Sequence, residues 1–306
     1  MTARPAPLRL LALLPIAALG LAGCSAAAPD DEATDDGGIV LVASTNVYGD
    51  LAETIGGDRV EVTSLIDNPD QDPHEFEADA RAQLALSQAD VVVENGGGYD
   101  DFIDTMLSAA DNGDATVINA VDLSGKDTGE GELNEHVWYD YPTVGKVVDA
   151  IADALSEADP DGADTYRANA DELQDGLSAL EDRVAALEPS GEGKTVTITE
   201  PVPLYLLEAL GLEDVTPEEF SEAIEEDTDV PPAVLQETLD LYSADPKPIA
   251  LVQNEQTGGP QTDQVIAAAE AAGVTVIGVT ETLPAGTHYL DWQAGVVDEL
   301  EAALQG

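Results

Sequence analysis

The sequence predicts an α/β protein of two lobes, with mainly parallel sheets and one long rigid helix joining them. Three observations carry this. From residue 39 onward, short runs rich in β-branched residues take turns with amphipathic stretches, as strands and helices do when they alternate. The alternation occurs twice, on either side of an apolar stripe formed by Tyr166, Leu173, Leu177, Leu180, Val184 and Leu187, whose spacing keeps one helical face apolar over several turns. The stretch 39–306 also exceeds the usual size of a single domain and suits two lobes.

The first lobe is expected over 39–160. Its strands are predicted at 39–44, 60–65, 91–94 and 116–119, and its helices at 48–55, 78–87 and 101–109. A loop rich in Gly, Asp and Glu, 122–135, leads to His136 and a helix over 143–157, which Asp159-Pro160-Asp161-Gly162 stops. The linking helix covers 161–190, with a break expected at 189–193. The second lobe, 191–306, is read as strands at 195–199, 249–253 and 274–279. Its helices are placed at 204–210, 232–242 and 262–272, with a last one ending at Leu304. No internal repeat is strong enough in sequence to make the lobes duplicates.

The first residues have a different character. Arg4 and Arg9 precede an apolar run over 10–21 that is shorter than the ~20 residues a spanning helix needs, so 1–23 reads as a signal peptide. Leu21-Ala22-Gly23-Cys24 resembles the processing box of bacterial lipoproteins; cleavage before Cys24 would leave its thiol to carry a diacylglyceryl anchor. The competing reading is a lone buried cysteine. As Cys24 is the only cysteine, no internal disulfide can form. Residues 24–38 lack large apolar side chains and read as a flexible acidic tether with a reach of about 20 Å.

With 63 acidic against 10 basic residues and a formal charge of −53, nucleic acid is excluded as a partner. Lysine is confined to Lys126, Lys146, Lys194 and Lys247. This reads as general surface acidification of the kind a salty habitat favours rather than as a sponge for cations, since salt screens such a field within about 8 Å.

Two of the three histidines stand in loops beside carboxylates, in Pro73-His74-Glu75-Phe76-Glu77 and Glu135-His136-Val137-Trp138-Tyr139-Asp140. His74 follows the second strand and His136 the last strand of the first lobe, at the carboxyl ends where open α/β sheets bind ligands. Glu200 and Glu281 stand directly after two strands of the second lobe, on the edge that can face the first lobe across a cleft. Spacing alone leaves surface imidazoles and solvated glutamates as open readings. Two neutral imidazoles and two carboxylates would together neutralise one divalent cation. A set of four ligating side chains leaves little room for the reactive water that a catalytic metal keeps. Trp138 and Asp140 are candidates to support His136, with simple packing equally open for the Trp. The glycines of Glu94-Asn95-Gly96-Gly97-Gly98-Tyr99 lack the spacing of a nucleotide loop and read as permitting close backbone approach. His288 reads as a surface or capping residue.

Four motifs in order resemble the TroA-like family, the solute-binding proteins of zinc, manganese and iron ABC importers, over 39–306. Asp72 to Glu77 resembles the family's first histidine motif. Asn134 to Asp140 resembles its second, including the Trp two residues after the ligand. Thr197 to Leu206 resembles the third, with Glu200 where zinc receptors often carry His and manganese receptors Glu. Gly278 to Leu283 resembles the fourth, with Glu281 in place of the usual Asp, a departure that lengthens one ligand by a methylene. The resemblance implies a metal set of His74, His136, Glu200 and Glu281 in the cleft between the lobes. It also implies one Mn2+ or Zn2+ (with Fe2+ within the family's range) as transported ligand, and only modest closure on binding. The partners it implies are an ABC permease with its ATPase, and the membrane through the lipid at Cys24. The protein is then an exported monomer held on the outer face of the cytoplasmic membrane, and not an enzyme. The His-rich loop of many zinc receptors is replaced here by the acidic 122–135. A metal-dependent surface adhesin would use the same site. A surface metallohydrolase is weaker, because the His-Glu-x-x-His helix is absent.

Overall fold

The computed structural model describes residues 38–69, 73–126 and 133–306, so the signal peptide, Cys24 and all but the last residue of the tether lie outside them. The first lobe is laid out as β1 (Ile39–Thr45), α1 (Asn46–Gly56), β2 (Val60–Ile66), α2 (Ala80–Gln88), β3 (Val91–Glu94), α3 (Phe102–Ala110), β4 (Thr116–Asn119), α4 (Ala120–Ser124) and α5 (Tyr141–Ala158). Its four strands are all parallel in the order β2-β1-β3-β4, with Leu41 in register with Val62 on one side and Val91 on the other. Helices cover both faces, which is why β1 and β3 read as continuous apolar runs rather than alternating ones. Asp79 caps α2 by accepting from the N–H groups of Arg81 and Ala82, and these bonds hold its carboxyl below the usual range.

The linking helix α6 (Ala163–Gly191) differs from expectation at its end. Instead of breaking at Pro189 it continues to Gly191. A proline there removes one backbone bond only in the last turn, where little helix remains to lose. Gly191 lies so close to the Leu210 carbonyl that any Cβ would collide with it, so the helix end is fixed by contact with the second lobe.

The second lobe runs β5 (Thr195–Ile198), α7 (Leu204–Ala209), β6 (Glu213–Asp214), α8 (Glu218–Glu225), α9 (Pro232–Leu241), β7 (Ala250–Asn254), α10 (Pro260–Ala272), β8 (Thr275–Val279) and α11 (Tyr289–Gln305). Its sheet is again wholly parallel, in the order β6-β5-β7-β8. The same strand order thus recurs without a visible sequence repeat. Three elements escape the periodicity. Helix α4 has five residues, and β6 is an acidic pair that joins the sheet by parallel pairing with β5. Helix α8 is so rich in glutamate that its short apolar face, Phe220 and Ala223, is hard to see.

One hydrophobic cluster runs through both lobes, from Leu41 and Val93 through Leu173 and Leu177 of α6 to Val196, Val252 and Leu300. Each fully buried side chain of this kind contributes roughly 1.5–3 kcal/mol. Because the lobes share this core, they cannot separate without opening it. Direct bonds add to the connection. Asn46 exchanges two hydrogen bonds with the backbone of Leu283 (2.8 and 3.0 Å), the Tyr139 hydroxyl donates to Thr280 O (2.8 Å), and the Tyr289 hydroxyl donates to Trp138 O (2.6 Å). Among the described residues no helix is long and apolar enough to cross a membrane.

Candidate metal centre

His74 lies in a short 3-10 turn, Pro73–Glu75, beyond β2, and His136 immediately precedes another, Val137–Tyr139, beyond β4 and α4. Glu200 and Glu281 each stand two residues past the end of a strand, β5 and β8. All four are therefore carried at the carboxyl ends of parallel strands, where strand direction ends and side chains can converge.

His74, His136 and Glu281 converge, and Glu200 joins them through Asn254. Glu281 Oε2 lies 3.6 Å from His74 Nε2 and 3.7 Å from His136 Nε2. Side-chain exposure is 25% for His74 and 0% for both His136 and Glu281, so one imidazole faces the solvent side and the other the floor. Glu200 is also buried, but its carboxylate accepts from Thr257 Oγ1 and from Asn254 Nδ2 at 2.6 Å; the same Asn254 amide donates to Glu281 Oε1 at 2.8 Å. Asn254 therefore couples the two carboxylates.

His136 is oriented by a single partner. Asn134 Oδ1 accepts from both the backbone N–H (3.0 Å) and Nδ1 (2.7 Å) of His136. Since that oxygen only accepts, Nδ1 carries the proton in the neutral ring, which leaves Nε2 as the nitrogen that can offer a lone pair to the cavity. Asn134 is held from the other lobe, with its Nδ2 donating to Pro201 O (2.9 Å) and its own carbonyl accepting from the Tyr205 hydroxyl (2.6 Å). Asp140, the support expected from the sequence, does not reach His136. It caps α5 through Thr143 and pairs with Lys126 at 3.2 Å. Trp138 packs its ring against His136 and Tyr99 with centroids 5.1 and 5.0 Å apart. Tyr99 in turn donates to Glu281 Oε2 at 3.0 Å. The run Gly96 to Gly98 has positive φ at all three residues, and a Cβ on Gly97 would meet Leu133 and Val121 at 2.9 and 3.0 Å. The close approach expected there is real. His288 stands at the N-cap of α11, on the surface, paired with Asp50 at 2.6 Å.

Charge in this cavity is unbalanced. Burial pushes the Glu200 carboxyl up to about 7 despite its bonds from Asn254 and Thr257. For Glu281 burial pushes upward too, but the facing imidazoles of His136 and His74 and the Tyr99 hydroxyl outweigh it and hold the group below its ordinary value. The same pairing acts on His136. Burial lowers its basicity, and the Glu281 carboxylate, with Glu135 and Glu225 nearby, overrides this and raises it. A residue not singled out from the sequence also enters: Glu225, the last residue of α8, places Oε1 3.6 Å from His136 Nε2. One ligating atom each from His74, His136 and Glu225 all lie within 4.8 Å of one another. An ion bonded at about 2.0–2.2 Å holds its donors roughly 3–4 Å apart; His136 Nε2 and Glu225 Oε1 stand 3.6 Å apart, and the trio as a whole lies within 4.8 Å.

Residues 41–303 match the family described as zinc-uptake complex component A, periplasmic (ZnuA). The chain belongs to this family. It is 34% identical over 206 residues to the manganese-binding lipoprotein MntA of Halalkalibacterium halodurans, a match covering 65% of this chain and 67% of that protein. It is 26% identical over 259 residues to the manganese ABC transporter substrate-binding lipoprotein scaA of Streptococcus gordonii, covering 76% and 82%. The match to MntA of Bacillus subtilis, 32% identical, covers 56% of each chain, so the alignment spans little more than half that relative's length. The fold is that of the periplasmic zinc binding protein TroA from Treponema pallidum, with a TM-score of 0.74 at 21% identity over 88% of this chain and 99% of that one. The family takes its name from metal uptake, not from catalysis.

Proposed function

We propose that this protein is an extracytoplasmic receptor that captures one divalent transition-metal ion and delivers it to an ABC permease and its ATPase, with the body tethered to the membrane through lipid at Cys24. The observation that carries the reading is the facing pair of imidazole Nε2 atoms, each within 3.7 Å of one Glu281 oxygen, at the meeting of the two sheets' carboxyl ends. The names of the relatives support it: MntA is a manganese-binding lipoprotein, and scaA a manganese ABC transporter substrate-binding lipoprotein.

Capture follows from the donor set. His136, with its tautomer set by Asn134, offers a neutral nitrogen, and the more exposed His74 offers a second from the solvent side, so an ion meets His74 early and His136 last. Glu281 and Glu200 bring the charge that neutralises the cation, and Asn254 keeps both oriented. Because the lobes share a core and several hydrogen bonds, binding draws the loops together more than it swings the lobes.

We take manganese to be the cargo. Glu200 and Glu281 are hard oxygen donors that can bind through one or both oxygens and so build the five- or six-donor shell that manganese accepts and zinc does not require. Affinity in a test tube rises from manganese toward zinc for almost any ligand set, so uptake by cells is the proper test. Deleting the gene and following both metals at limiting concentration should abolish high-affinity manganese accumulation. Loss of zinc uptake with manganese uptake intact overturns the assignment.

A further inference from the structure

Glu225 is a largely buried carboxylate that faces His136 and takes no hydrogen bond on the oxygen turned toward it. It is the last residue of α8, at the negative end of that helix's dipole, and the last turn of α8 contains no basic residue. Its side chain is only 16% exposed, and Oε1 is buried with no hydrogen-bond donor. The atom it faces, His136 Nε2 at 3.6 Å, is likewise buried and unpartnered, on a side chain with no exposure. Burial, with the nearby charges of Glu135, Glu200 and Glu281, pushes the carboxyl up to about 8 against the pull of His136. On its other side Glu225 lines a cavity of about 560 Å³ together with Glu135, Glu218, Glu222 and Glu226. Glu218 and Glu226 are exposed, so this acidic cavity opens to solvent.

We propose that Glu225 is itself a metal ligand, binding the ion beside His136 as a third carboxylate of the shell. This rests on the metal-receptor reading above. It adds a donor from a helix end rather than from a strand end, and it makes the site anionic even with a divalent ion in place. Such a site suits a hard, weakly selecting ion such as manganese better than zinc. A carboxylate kept there for packing alone would be better replaced by an amide, so Glu225 reads as stability given up for function.

The test is calorimetric titration of Mn2+ into the full chain, purified in detergent, for wild type, Glu225→Gln, Glu222→Gln and His136→Ala, each with a melting curve in chelator. Glu225→Gln is expected to weaken Mn2+ binding by about tenfold or more, while its metal-free melting temperature stays level or rises. Glu222→Gln, one turn away in the same cavity, should stay within about twofold of wild type. If Glu225→Gln binds like Glu222→Gln while His136→Ala fails to bind, Glu225 is no ligand although the receptor site stands. If His136→Ala also binds as wild type does, the receptor site itself is misassigned. Should Glu225→Gln not fold, Glu225→Asp, one methylene short, is read in the same assay; wild-type affinity there overturns the proposal.

Discussion

The two lobes have the same strand order, β2-β1-β3-β4 in one and β6-β5-β7-β8 in the other, yet they bring opposite chemistry to the cleft. In the proposed site the first lobe supplies nitrogen, from His74 and His136, while the second supplies Glu200, Glu225 and Glu281. Neutral donors can be buried without a partner at modest cost, whereas buried carboxylates cannot, so the second lobe carries the electrostatic strain of the metal-free protein. That strain shows in the upward shifts of Glu200 and Glu225 and in the dependence of Glu281 on the imidazoles across the cleft. Metal binding in this arrangement relieves repulsion in one lobe by means of ligands held in the other.

The sharpest way to break the comparison is to remove a nitrogen. His136→Ala should lower metal affinity beyond the roughly 100-fold that changes around a shell produce, as read by competition with a chelator. Removing the charge opposite it should act on both partners. In Glu281→Gln the metal affinity falls, and the His136 imidazole, relieved of the carboxylate that raises it most and left with Glu135 and Glu225 against burial, should titrate lower than in the wild type in the metal-free protein by NMR. An imidazole that titrates as in the wild type would mean that Glu281 is not its effective partner. A third, smaller effect separates Asn134 from Asp140. Asn134→Ala frees the His136 ring and should cost about 10- to 100-fold in affinity. Asp140→Ala should cost about 1 kcal/mol of stability through the α5 cap and leave binding unchanged.

The difference between Asn134 and Asp140 marks how far the sequence could be read. The places of the histidines, Glu200 and Glu281 beyond strand ends could be read from the alternation, but spacing alone left them as surface groups, and only the resemblance of four motifs to a metal-receptor family singled them out as a set. The linking helix was legible from its stripe, though not its last residues, since the packing of Gly191 on Leu210 O is a tertiary contact. Asn134 was in view but not its role, because a hydrogen bond from Nδ1 two residues away depends on loop geometry. Glu225 was hidden most completely. Among Glu218, Glu219, Glu222 and Glu226 it resembles one more solvated acid, and only the docking of Phe220 and Ala223 into the core decides that this one points inward. An apolar pair at helical spacing within that acidic run was the available signal.

The mildest perturbation is pH. Without metal, Glu225 holds a proton below about 8, Glu200 below about 7, and His136 above its ordinary range; the bound form needs all three deprotonated. The metal-free form thus carries more protons, and affinity should fall steadily as pH drops from about 8 to 6, with protons released on binding in calorimetry across buffers. An affinity that is flat over this range would show that the second lobe's carboxylates are already ionised.

The most direct test of the central claim is native mass spectrometry of the full chain, purified in detergent after growth in defined metals. The strongly acidic surface can hold stray cations, so a His74→Ala, His136→Ala double variant is the necessary comparison. The expected result is one divalent transition-metal ion per wild-type chain and none in the double variant. Equal occupancy of the two proteins, or a wild-type chain that carries no such ion under any metal supplied, would contradict the account.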